Sequence, residues 1–216
     1  GIRRMYVEQE DVFYYMTVEN EQYPMPPMPE GVEEGILKGL YKFKRSSKKR
    51  SKLKAQLFGS GAIMNKVLEA QQILEEQYNV AADVWSITSF KNLHRDAIDT
   101  ERWNRMHPGE TKRKSYIEES LDGEKGPFVI ASDYVKALPE SIARWFPEAP
   151  VSLGTDGFGR SESREALRDF FEVDARFVTL GALGALADAG QIEHKTVKKA
   201  MQDLNVDSEK PNPVYR

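Results

Sequence analysis

Apolar residues along this chain fall into two spacings, separated by polar, proline-rich or glycine-rich stretches. Short apolar runs of strand length occupy residues 53–58, 84–88, 128–132 and 151–153. A fifth run at 12–18, rich in β-branched and aromatic side chains, also reads as a strand. Helical spacing appears at 62–78, where Ile63, Val67, Ala70 and Leu74 share one face. Further helices are expected at 161–170, 174–189 and 192–204, with a short one at 30–38 around Val32 and Ile36. Residues 133–145 read as a helix that Pro139 ends or kinks. There are no internal repeats. Strands alternating with helices predict an α/β fold, a three-layer sandwich whose mainly parallel sheet is covered on both faces.

Two stretches interrupt that pattern. Residues 23–29 hold four prolines, which remove backbone donors and favour extended geometry, so this is a connector packed on the surface. Residues 42–54 carry eight lysines and arginines. A solvated hairpin or loop explains them better than a nucleic-acid patch, because only Phe43 offers an aromatic platform. An acidic protein partner is the sharper alternative.

Composition narrows the rest. The 216 residues, 40% hydrophobic and 30% charged, suit one well-packed domain with an attached segment. No apolar run approaches the roughly 20 residues of a membrane span, and the net charge of −3 exerts no global pull toward nucleic acid. With no cysteine, a disulfide framework, a thiolate nucleophile and a cysteine-ligated zinc site are excluded. A cytoplasmic location fits.

Candidate chemistry gathers in a few places. The run Leu-Gly-Thr-Asp-Gly-Phe-Gly-Arg-Ser at 153–161 places three glycines between an apolar strand and a helix start. Open α/β sheets usually put a functional edge there. Ser161 is expected to cap the helix, with Glu162 at its positive end. Asp156, Phe158 and Arg160 are candidates for an interface or active-site rim, Phe158 burying its ring against another domain or subunit and Arg160 pairing with a carboxylate. Gly59-Ser-Gly61 invites a phosphate-binding reading, but the third glycine is missing and Asp83 precedes the second strand, so a packing turn is favoured. Arg102, Trp103 and His107 surround an aromatic anchor. His107 is a conceivable general base, yet a structural contact fits better, with Arg102 paired to a buried carboxylate. The small residues of 181–189 permit close approach of another backbone, either the sheet or a second subunit.

The 153–161 run, continued through Glu165, resembles the matching loop of the homodimeric pyruvate dehydrogenases, the thiamine-dependent decarboxylating component of the pyruvate dehydrogenase complex. Met-Pro-Glu-Gly-Val-Glu-Glu-Gly at 28–35, Glu-Arg-Trp-Asn-Arg-Met-His-Pro at 101–108 and Phe-Glu-Val-Asp-Ala at 171–175 resemble further blocks of that family, in family order. The resemblance implies a transketolase-like C-terminal domain over 41–216, preceded at 1–40 by a connector and the tail of a pyrimidine-binding domain. It implies a whole enzyme that decarboxylates pyruvate with thiamine diphosphate and Mg²⁺ and passes the acetyl unit to the lipoyl-bearing dihydrolipoamide acetyltransferase. It also implies a homodimer, with this part as scaffold and dimer interface.

Thiamine diphosphate enzymes carry a Gly-Asp-Gly motif and, roughly 30 residues later, an Asn-Asn pair that hold Mg²⁺ on the diphosphate. Asp122-Gly123 and Asp156-Gly157 lack the preceding glycine and the asparagines. No catalytic, cofactor or metal residue therefore transfers to this chain, which is expected to be a carboxyl-terminal fragment. Two rivals remain: a transketolase-type enzyme for another 2-oxo acid or a sugar phosphate, and a free-standing regulatory or interaction module.

Overall fold

The computed structural model describes residues 1–14, 16, 18 and 21–216. Among the described residues five strands form one sheet: β1 (Leu40–Lys44), β2 (Lys54–Gly59), β3 (Ala81–Ile87), β4 (Phe128–Ala131) and β5 (Val151–Leu153), in the order β1-β3-β2-β4-β5. β2, β3, β4 and β5 run parallel, and β1 joins β3 antiparallel. The mainly parallel sheet read from the sequence is therefore present.

Strand alternation sends side chains to two cores. Ala55, Leu57, Ala82, Val84, Val129 and Ala131 face one side. There they meet α2 (Met64–Gln77), α7 (Ala175–Asp188) and α8 (His194–Asp203). Phe58, Trp85, Ile87, Phe128 and Ile130 face the other, against α3 (Phe90–Met106) and α4 (Tyr116–Ser120). Phe58 stacks on Trp85 at 5.7 Å between ring centroids. Both faces being covered, the central strands β2, β3 and β4 are buried along most of their length, and β4 is apolar throughout.

Two expectations fail for physical reasons. Residues 133–145 yield only α5 (Ala137–Glu140) and a 3₁₀ turn, Ala143–Trp145. The carbonyls of Asp133 and Tyr134 accept hydrogen bonds from Thr155 instead of starting a helix. The helix expected at 161–170 begins at Arg164 (α6, Arg164–Phe170), capped by Ser163 rather than Ser161. The strand expected at 12–18 lies partly outside the described residues, since Tyr15 and Thr17 are not among them; Phe13 is 87% and Val18 88% exposed.

Other elements were not legible. α3 buries only Phe90, Leu93 and Ala97 over 17 residues, too sparse an apolar stripe to read. In β1 the lysines mask the alternation. Lys42 is half-buried over the Trp85 ring, donating to Asp83 at 2.7 Å and Glu124 at 2.8 Å. Asp83 thus lies within β3 rather than before it. The Ser46 and Ser47 hydroxyls donate to Glu75 at 2.6 and 2.5 Å, so the start of the basic segment is packed, while Lys49 and Arg50 are exposed. α1 (Glu33–Lys38) precedes β1 and ends at Gly39 in the left-handed region.

The Gly59-Ser-Gly61 turn is a packing device. A Cβ on Gly59 would lie 2.6 Å from Met64 Sδ and 3.1 Å from its Cα, so the strand and α2 meet more closely than a side chain permits. In α7, Gly181 lies against Val129 and Val151 of the sheet, whereas Gly184 faces open space.

Candidate functional site

The carboxyl ends of β4 and β5 lie side by side, and the segments leaving them are tied together. Ser132 N–H donates to the Leu153 carbonyl at 3.1 Å, Thr155 N–H to Tyr134 at 3.0 Å and the Thr155 hydroxyl to Asp133 at 2.7 Å. Lys136 N–H donates to Asp156 Oδ1 at 2.7 Å. Asp156 is therefore engaged in holding the two loops. Gly154 allows that approach, since a Cβ there would sit 2.5 Å from the Tyr134 carbonyl oxygen. Gly157 has a φ of +102°, and a Cβ would meet the Pro213 carbonyl oxygen at 2.6 Å, where the C-terminal turn Pro213–Tyr215 seats on the loop.

Phe158 stands at the tip of this loop, 82% exposed. Arg160 lies over the Phe170 ring at 5.0 Å, and among the described residues it pairs with no carboxylate. The expected ion pair is replaced on this chain by an aromatic contact.

Behind the loop is a cavity of about 240 Å³ whose lining includes Asp133, Thr155, Arg160, Arg164, Arg168 and Phe171. Arg168 is 7% exposed, and its Nε and Nη2 have no hydrogen-bond acceptor. Asp133 Oδ2 is 3.8 Å from Nη2, within ion-pair range but too long for a hydrogen bond. The guanidinium also lies 5.3 Å from the Tyr23 ring, and Arg164 is 3.7 Å from Glu21. Sequence reasoning missed Arg164 and Arg168. The signal was available, for arginines at 160, 164 and 168 recur at one helical turn.

α6, which carries Arg164 and Arg168, is anchored at its far end. Asp169 accepts from Arg176 and from Lys210 Nζ at 3.3 Å, and Arg176 also donates to Asp174 at 2.6 Å. Burial pushes the Asp169 carboxyl up, but the hydrogen bonds and charges of Arg176 and Lys210 outweigh it and hold it below the ordinary carboxylate range. Arg176 is held above its usual value, chiefly by its hydrogen bond to Asp174.

The second group of candidates sits at the end of α3. Trp103 stacks on the His107 ring at 4.2 Å between centroids and carries the Arg113 guanidinium over its ring at 3.5 Å. His107 Nδ1 is 2.9 Å from the Trp103 carbonyl, so Nδ1 carries the proton and donates it. Asn104 exchanges two 2.9 Å hydrogen bonds with the Arg113 backbone. This is a helix-ending clasp. Arg102 is exposed and pairs with no carboxylate among the described residues; Glu101 makes the contacts instead, accepting from Arg144 and from Trp145 Nε1 at 2.8 Å. No hydrogen bond, ion pair or ring contact links this clasp to the loop among the described residues.

A thiamine diphosphate site would need carboxylate and amide oxygens converging on a divalent cation. Among the described residues no three His, Asp or Glu side chains come together in that way, and the residues here do not fit the group. No helix among the described residues is long and apolar enough to cross a membrane.

Comparison with known proteins bears on the chain as a whole. It is 50% identical over 215 residues to the pyruvate dehydrogenase E1 component of Pseudomonas aeruginosa, covering 99% of this chain and 24% of that protein. It is equally similar to the E1 component of Escherichia coli K12, with the same coverage. The chain thus spans about a quarter of the length of the curated relatives it matches. Among solved structures, a transketolase from Pichia stipitis superposes with a TM-score of 0.52 at 17% identity, covering 77% of this chain and 21% of that one. A split-gene transketolase gives 0.50 at 20% identity, covering 69% and 43%. The model of the transketolase-like TK C-terminal domain matches residues 39–174, which hold all five strands and the glycine loop. By that match, the chain belongs to the transketolase-like TK C-terminal domain family.

Proposed function

We propose that this chain is the carboxyl-terminal domain of a pyruvate dehydrogenase E1 component. The whole enzyme decarboxylates pyruvate and delivers the acetyl unit to a lipoyl group on an acetyltransferase partner. What supports the reading is collinear identity of 50% along 99% of the chain with proteins of that name. In this reading residues 41–216 are the domain proper, and 1–40 are a connector and the tail of an upstream pyrimidine-binding domain. Thiamine diphosphate and Mg²⁺ belong to upstream domains, and the location is cytoplasmic.

The chain's own part is scaffold and dimer interface. Phe158, 82% exposed on a loop otherwise pinned by Asp156 and Gly157, is a large apolar group presented outward on a fixed stem. Such a ring gains from burial against a second surface. Arg160 flanks it, and the Arg102, Trp103 and His107 clasp offers a second contact.

The test is carbon dioxide release from pyruvate with added thiamine diphosphate and Mg²⁺. The full-length protein is expected to turn over and the pure 216-residue chain to give only the buffer rate. Silence from the full-length protein would remove the activity; turnover by the chain alone would remove the division of labour.

A further inference from the structure

We propose that the cavity behind the glycine loop binds a phosphate group, free or as a monoester, held by Arg168 together with Arg160 and Arg164. The inference goes beyond the activity proposed above and does not depend on it. Its first support is Arg168 itself. A guanidinium nine-tenths enclosed, with Nε and Nη2 lacking any acceptor and its nearest carboxylate 3.8 Å away, is a buried cation with unmet donors. Such a group is costly to keep unless an anion completes it.

Position is the second support. The cavity opens between the segments leaving β4 and β5, at the carboxyl ends of parallel strands, where open α/β sheets hold their ligands. The third is the donor set. Arg160 reaches the cavity from the glycine loop and Arg164 and Arg168 from α6, with Asp133 and Glu21 among the acidic groups beside them. Forked donors arriving from two elements suit the three terminal oxygens of a tetrahedral phosphate better than a planar carboxylate. The loop is also fixed rather than adaptable, because Asp156, Gly154 and Gly157 lock it to its neighbours.

The experiment is isothermal titration calorimetry on the full-length protein, with thiamine diphosphate and Mg²⁺ in excess so that any diphosphate site elsewhere is filled. Inorganic phosphate, methyl phosphate and acetate are titrated separately. Saturable phosphate binding is expected, in the millimolar range or tighter, with acetate much weaker. Methyl phosphate matching phosphate would identify a monoester as an acceptable source, and its exclusion would restrict the site to the free ion. Arg168→Met should weaken phosphate at least about tenfold, the loss of one charged hydrogen-bonding partner, while Arg168→Lys keeps part of the affinity. Should Arg168→Met fail to fold by circular dichroism, Arg160→Met at the exposed rim decides, and it must weaken phosphate measurably. No phosphate binding up to about 10 mM, unchanged affinity in the folded variants, or equal binding of acetate would overturn the proposal. So would a crystal structure of the full-length protein with one of its own carboxylates seated on Arg168.

Discussion

Replacing Phe158 by alanine separates the stability of this domain from the strength of its assembly. On the chain the ring is 82% exposed, so its removal takes almost no apolar area out of contact. The unfolding free energy of the 216-residue chain from denaturant titration should change by less than about 0.5 kcal/mol, as for other surface substitutions. The full-length protein should respond differently. A phenylalanine side chain carried from water into an interface gains about 2–3 kcal/mol. Losing it should raise the dimer dissociation constant roughly 30- to 150-fold for one ring, and by more if a two-fold axis uses the residue twice. Sedimentation velocity over a concentration series of wild type and variant reads this directly. Activity lost on dilution and regained at high protein concentration would accompany it, because mass action favours the dimer. An unchanged dissociation constant would refute the interface reasoning. A chain destabilised by several kcal/mol would show that the ring is packed where the structure leaves it exposed.

Three further outcomes are expected. Replacing Lys48, Lys49 and Arg50 together by serine should change folding stability by under about 1 kcal/mol, since among the described residues no carboxylate forms an ion pair with them; a larger change in urea titration would mean the segment is packed throughout. Gly126→Ala should destabilise by more than about 3 kcal/mol, because φ is +97° and the new Cβ would sit 2.1 Å from the Lys54 carbonyl oxygen, both main-chain constraints; a near-wild-type melting temperature would contradict the geometry. Asp169 sets an acid limit. Its carboxyl lies below the ordinary 3.8 in the folded chain, so its contribution is complete above that value and is lost as pH falls through the lower folded-state value. Asp169→Asn should therefore be less stable than wild type near neutrality and converge with it in strong acid. A constant gap at all pH values would count against the Arg176–Lys210 cluster as the cause.

Much of the architecture could be read before any coordinates. The runs that became β2, β4 and β5 are rich in apolar residues because both sheet faces are covered, and Val67, Ala70 and Leu74, with Ile63 just before the helix, mark the buried stripe of α2 at helical spacing. Those patterns are local, each visible within a dozen residues. β1 and α3 escaped because their burial is partial: Lys42 in β1 is paired with Asp83 and Glu124 far along the chain, and α3 covers the sheet with only three buried residues.

The blocks around 28–35, 101–108, 153–165 and 171–175 were enough to identify the family, because long ordered matches need no geometry. Tertiary structure alone decided what each residue in them does. Asp156 turned out to pin a neighbouring loop, and Trp103 with His107 to close a helix. Arg168, one polar residue among many in the sequence, became a buried cation at the edge of the sheet. Hydrogen-bond partners, enclosure and exposure depend on residues brought together from distant segments. Asp133, Thr155 and Arg168 meet only because β4 and β5 run parallel and end side by side.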